Sequence, residues 1–192
     1  MDIMLFHSIY GLRPAVSAAA DRLRAAGHEV WTPDLFEGRV YDSVEDGRAY
    51  KDEVGVDELL KRAILAAAPL SERGLVYGGF SFGAAVAQNL ALGDEKARGL
   101  LLLHGTSDIA ENATADGLPV QLHVADPDAF EPHDWLTAWY LQMGKAGADV
   151  EVHRYPGAGH LYTDPELPDY DEEAAEQTWR VALGFLDSID EG

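Results

Sequence analysis

Short apolar runs alternate along this chain with longer stretches of helical periodicity. Residues 3–6 form an apolar run of buried-strand length, followed by a glycine-bearing turn at Ser8-Ile9-Tyr10-Gly11. From 14 to 26 the positions Val16, Ala19, Ala20, Leu23 and Ala26 recur at helical spacing, with Pro14 suited to a first turn and Gly27 to a stop. Residues 29–32 predict a short second strand ending at Pro33-Asp34. The segment 34–56 is acidic, polar and glycine-bearing, and reads as a long loop with at most one helical turn, a length that suits a functional loop.

A helix follows over 57–68, with Leu59, Leu60, Ala63 and Ile64 on its apolar side. Residues 74–79 predict a third strand and 82–92 a helix of small residues. The four leucines at 100–103 are apolar on both faces, which suits a central parallel strand. Further strands are predicted at 120–124 and 149–155, with helices at 132–144 and 172–189. Six strands alternating with helices predict an α/β class: a doubly wound, mainly parallel sheet in one domain spanning 1–192, with no internal repeat or linker.

Composition narrows the chemistry. A chain of 192 residues with 47% apolar positions has enough material for one sizeable core. The net charge of −20 repels nucleic acid and anionic membrane surfaces, so neither is an expected partner. The absence of cysteine excludes disulfides, thiolate metal sites and a cysteine nucleophile. The N-terminus lacks the basic segment of a signal peptide, and no apolar run approaches the roughly 20 residues of a membrane helix. A cytoplasmic protein is therefore expected.

Gly79-Phe80-Ser81-Phe82-Gly83 stands between a predicted strand and an alanine-rich helix. Gly-x-Ser-x-Gly is a modest signal alone, but that context is what a nucleophile elbow requires. Glycines on either side let strand and helix approach without Cβ clashes. Ser81 Oγ would then stand free at the carboxyl end of the sheet, and the Phe82 N–H at the helix start would point at a developing oxyanion.

A serine hydroxyl needs a base, and in such folds the order is serine, acid, histidine. His160 lies in a flexible turn, Tyr155-Pro156-Gly157-Ala158-Gly159-His160, just after the last predicted strand. His123 and His153 fall inside strands, and His133 starts a helix. His104 ends a strand on the correct side and is a candidate pocket residue. The acid should follow the strand at 120–124, where Asp126 and Asp128 both qualify; Asp108 is a third choice, and spacing does not separate the first two.

These residues together resemble the dienelactone hydrolase family, a compact branch of the α/β-hydrolases without an inserted cap domain. The resemblance runs over residues 3–186 and rests on Phe6-His7-Ser8-Ile9-Tyr10-Gly11, Pro33-Asp34-Leu35, the elbow, His123-Val124-Ala125-Asp126-Pro127-Asp128 and the His160 turn. By this resemblance the acid is Asp128 and the second oxyanion N–H belongs to Ile9. Three departures stand out. Ser81 replaces the cysteine of the best-known members. Ser8 stands where those members carry a glutamate. His160-Leu161-Tyr162-Thr163-Asp164 lacks the arginine that lactone-cleaving members use to bind a substrate carboxylate.

The expected reaction is acyl transfer from a small ester or lactone to Ser81 and then to water, with no metal or organic cofactor required. A thioesterase, amidase or acyltransferase with the same three residues is the enzymatic alternative; a non-catalytic binding protein of the same fold is the other. Reactivity of Ser81 toward a fluorophosphonate separates the last from the rest. The loop 34–56 and the aromatics Tyr10, Phe82, Trp135 and Tyr162 are candidates for shaping the pocket. Acyl preference and oligomeric state are not legible in the sequence.

Overall fold

The computed structural model describes residues 1–191. Its elements in chain order are β1 (Asp2–Phe6), α1 (Pro14–Ala25), β2 (Glu29–Trp31), α2 (Val44–Val54), α3 (Val56–Ala67) and β3 (Leu75–Phe80). They continue with α4 (Phe82–Gly93), β4 (Gly99–Leu103), β5 (Pro119–Asp126), α5 (His133–Lys145), β6 (Asp149–Pro156) and α6 (Glu172–Glu191). The strands form a parallel six-stranded sheet in the order β2-β1-β3-β4-β5-β6.

Alternation along each strand divides the core into two layers. Ile3 and Leu5 of β1, with Leu101 and Leu103 of β4, pack against Leu23 of α1 and Trp179 and Leu186 of α6. Met4, Phe6, Leu100 and Leu102 point the other way, toward Leu59 of α3, Ala87 of α4 and Leu136 and Trp139 of α5. Each wholly buried leucine contributes about 2 kcal/mol from its apolar area. Because both faces are covered, the central strands read as unbroken apolar runs.

The segment 34–56 departs from expectation. It is not mostly loop: residues 44–54 form the three-turn helix α2. Ser43 caps it, its Oγ accepting the Asp46 N–H at 3.1 Å, and Glu45 and Asp46 complement the positive helix end. Only Gly47 and Tyr50 are buried, so no apolar stripe announces the helix. Gly47 is a packing residue here and not a loop glycine, since a Cβ there would lie 2.2 Å from the Ile9 carbonyl oxygen. Gly55, at φ 85°, then breaks α2 from α3.

The chain leaves β1 toward β2 on one side and reaches β3 on the other. The crevice beyond the carboxyl ends of β1 and β3 is therefore a switch point of the sheet, where open α/β folds bind ligands.

Candidate active site

Ser81 sits in that crevice, in a left-handed backbone conformation with φ 52° and ψ −110°. Such a conformation is strained for a residue with a side chain, and its neighbours enforce it. A Cβ on Gly79 would lie 2.2 Å from the Gly83 oxygen, and one on Gly83 would lie 2.3 Å from the Phe6 oxygen. Gly105, two residues after β4, also lies against the Ser81 backbone, where a Cβ would be 2.7 Å from the Ser81 oxygen. The Ser81 N–H donates to the Leu103 carbonyl at 2.7 Å, fixing the turn to the central strand.

The loops after β5 and β6 bring two more predicted residues to this point. Ser81 Oγ lies 2.8 Å from His160 Nε2, and His160 Nδ1 lies 2.7 Å from Asp128 Oδ2. The Asp128 side chain is wholly buried, and its Oδ1 accepts the Phe130 N–H at 2.8 Å. A carboxylate so held acts as acceptor for Nδ1–H and leaves the Nε2 lone pair facing the hydroxyl. Asp126 has no such contact; it ends β5, where its carbonyl accepts the Gly157 N–H. Asp108 meets Gln88 through its backbone carbonyl.

Ile9, after β1, and Phe82, at the first position of α4, border the same cleft as Ser81 and His160. Among the described residues the Ile9 N–H donates to no protein acceptor. The Phe82 N–H, in the first turn of its helix, has no acceptor within it. Two residues with open N–H donors therefore line the cleft beside Ser81.

The cleft holds about 480 Å³, room for a small organic substrate. Of the aromatics expected there, Tyr10 and Phe82 line it; Tyr162 and Trp135 do not. Tyr162 is fully buried, with its hydroxyl 2.7 Å from Thr178 Oγ1, and Trp135 donates to Thr106 Oγ1. Segment 34–56, expected to shape the pocket, lines it through Val44, Arg48, Lys51 and Asp52, whereas Phe130 and Glu131 were not named from the sequence. Phe130 tilts against the His160 ring at 4.4 Å between centroids, and Arg48 of α2 lies over the Phe130 ring at 5.5 Å. Glu131 lines the wall beside them. Lys51, also from α2, is paired with Asp52 at the rim.

The remaining histidines have other tasks. His104 is fully buried behind His160 rather than in the cleft wall, a correction to its expected place. Its Nε2 lies 2.7 Å from Thr163 Oγ1, and burial pushes its pKa well below the ordinary histidine range. His123 bridges Tyr155 and Gln121 inside the sheet, and burial pushes its pKa down to about 3. His7 accepts the Leu35 N–H at Nε2 and so donates from Nδ1 to the Ser8 carbonyl; burial keeps it neutral.

The position lacking the family arginine is also explained. Asp164 is buried, and Arg13 donates to it from Nε at 3.0 Å. Arg13 also reaches Glu166 and the Tyr41 carbonyl, tying the loop after β1 to the loop after β6 and to the approach to α2.

The architecture is that of an α/β-hydrolase. It is similar to a dienelactone hydrolase-like promiscuous phosphotriesterase from metagenomic libraries, with TM-score 0.84 and 20% identity over 98% of this chain and 86% of that one. It is likewise similar to Thermogutta terrifontis esterase 2, with TM-score 0.77 and 16% identity over 98% of this chain and 82% of that one. The chain belongs to the dienelactone hydrolase family, whose model matches residues 2–189. A protein of Aquifex aeolicus (strain VF5), provisionally named carboxymethylenebutenolidase, is 24% identical over 96% of this chain and 86% of its own length. Membership of this hydrolase family implies a small-molecule substrate. Among the described residues no helix is long and apolar enough to cross a membrane.

Proposed function

We propose that the protein is a serine-dependent hydrolase of carboxylic esters or lactones, working through an acyl-enzyme. The observation that carries this reading is the contact series Ser81 Oγ, His160 and Asp128 at 2.8 and 2.7 Å, opening on a cleft of substrate size.

In this reading Ser81 Oγ attacks the carbonyl carbon and its proton passes to His160 Nε2. Asp128 stabilises the resulting imidazolium and holds the ring in place. The oxyanion lies between the Ile9 and Phe82 N–H groups, at the positive end of α4; each such donor is worth about 3–4 kcal/mol of barrier. Collapse breaks the bond to the leaving oxygen, which takes the proton from His160. In a lactone that oxygen stays tethered to the acyl group. Water then adds to the acyl-enzyme, giving a proton to His160, and the second collapse returns it to Ser81 as the acid leaves. These steps use the side chains of Ser81, His160 and Asp128, the two backbone N–H groups and water.

Ser81→Ala should abolish hydrolysis of small p-nitrophenyl esters while leaving the circular dichroism spectrum and thermal midpoint near those of the parent. A fluorophosphonate should label the parent at Ser81 and leave the variant unlabelled. Undiminished turnover by Ser81→Ala would reject the assignment. Mixed water and alcohol acceptors, with product analysis, separate hydrolysis from acyl transfer.

A further inference from the structure

One buried carboxylate in the cleft has no part in the steps above. Glu131 is three residues beyond Asp128, is 8% exposed, and lines the cleft with Ser81 and His160. Its contacts define its proton inventory. The Trp135 indole N–H can only donate, and it donates to Thr106 Oγ1 at 2.7 Å. The Thr106 hydroxyl in turn donates to Glu131 Oε2 at 2.6 Å, and the Thr106 N–H donates to Oε1 at 3.1 Å. An ionised Glu131 satisfies every donor in this set. A protonated one would add a donor to a carboxyl whose two oxygens already accept from Thr106.

The surroundings give this charge one natural beneficiary. Phe130 lies between Asp128 and Glu131 in sequence and covers His160, so the turn after β5 sets one carboxylate on the imidazole and a second in the wall of the cleft that His160 also lines. We infer that Glu131 is a positioning residue for His160: its fixed negative charge, held by Thr106, stabilises the imidazolium formed during acyl transfer. This rests on the serine-hydrolase reading above.

Burial pushes the Glu131 carboxyl up and Asp128 adds to that, whereas the two Thr106 donors and His160 hold it back. The other titratable and charged groups around the imidazole are held differently. Asp128 is engaged at Nδ1, and His104, behind the ring, is kept neutral by burial. Asp169, across the cleft with Tyr10, accepts the Leu161 N–H. From α2, Lys51 and Asp52 pair with each other, and Arg48 lies on Phe130 with its charge opposing the imidazolium.

The test is the pH profile of kcat/KM for a neutral p-nitrophenyl ester. Removing a negative charge near His160 makes its protonation harder, so the acid limb should move to lower pH in Glu131→Gln. A displacement of about half to one unit corresponds to a three- to tenfold loss of plateau rate. Glu131→Asp, which keeps the charge, should keep the acid limb even if its plateau falls. Plateau losses in both variants with an unmoved acid limb would leave Glu131 a structural tie and overturn the inference. If Glu131→Gln folds poorly by circular dichroism, Glu131→Ala with and without formate replaces it. Return of the acid limb with formate supports the inference; an acid limb at its parental position without formate refutes it. Failure of fluorophosphonate to label the parent at Ser81 would instead sink the serine-hydrolase reading itself.

Discussion

Arg13 and Asp164 make the sharpest stability experiment. Their side chains are 9% and 11% exposed, and they meet at 3.0 Å across 151 residues of chain. Arg13→Met keeps much of the apolar stem but deletes the cation, which lies over the Tyr10 ring at 5.5 Å. Asp164 then retains only the Glu166 N–H at 2.9 Å as a donor to its carboxylate. Stranding a buried carboxylate costs about 3–5 kcal/mol. Loss of the contact to half-exposed Glu166 adds well under about 1 kcal/mol. A chain of this length loses roughly 2–4 °C of thermal midpoint per kcal/mol, so a fall on the order of 10 °C is expected. Urea unfolding followed by tryptophan fluorescence gives the free energy. The double variant Arg13→Met, Asp164→Leu removes both charges and should recover most of the loss, since apolar replacement of a whole buried pair is often neutral. A single-variant cost below about 1 kcal/mol, or a double variant no better than the single, would refute the account of a desolvated clamp.

Two further outcomes concern turnover. Asp128→Asn should lower kcat by up to roughly 10⁴-fold through the wrong imidazole tautomer. Asp126→Asn should leave it within a few-fold; steady-state ester hydrolysis ranks the two, and the opposite order would move the acid role to Asp126. Arg48→Ala should raise KM two- to fivefold for an ester carrying a carboxylate, the worth of about 0.5–1 kcal/mol expected of an exposed ion pair. A neutral ester of the same size is the control, and equal effects on both would deny Arg48 any part in charge recognition.

The central strands were readable because their covering layers are complete. Leu100 to Leu103 have apolar neighbours on both sides, so the run stands out without any periodicity to interpret. The serine turn was readable because steric constraint allows no Cβ at either 79 or 83. Helix α2 was not, since only two of its eleven residues are buried and one of those is glycine. The separation of Asp128 from Asp126 came only from family resemblance. What distinguishes them in space is the turn that sends the Phe130 N–H onto Asp128, and no spacing rule encodes that. Segment 34–56 was expected at the pocket, but not which of its residues; Phe130 and Glu131 were invisible as cleft residues because the turn after β5 meets α2 only in the folded chain.

Charge burial ties these observations together. The chain carries 34 acidic residues, and among the described residues only Asp128, Glu131 and Asp164 are buried. Removing a carboxylate from water is unfavourable unless donors replace the hydration, and each of the three has its own set. Asp128 has His160 and the Phe130 N–H, Glu131 has Thr106 twice, and Asp164 has Arg13 and the Glu166 N–H. All three lie in the loops after β5 and β6, beside one crevice of the sheet. A fold seeking stability alone would leave such groups on the surface with the other acids. Asp128 holds the His160 ring, Asp164 ties the His160 loop to Arg13, and Glu131 fixes a charge in the wall of the same cleft. Position and field at the imidazole, more than net folding free energy, therefore account for burying these acids.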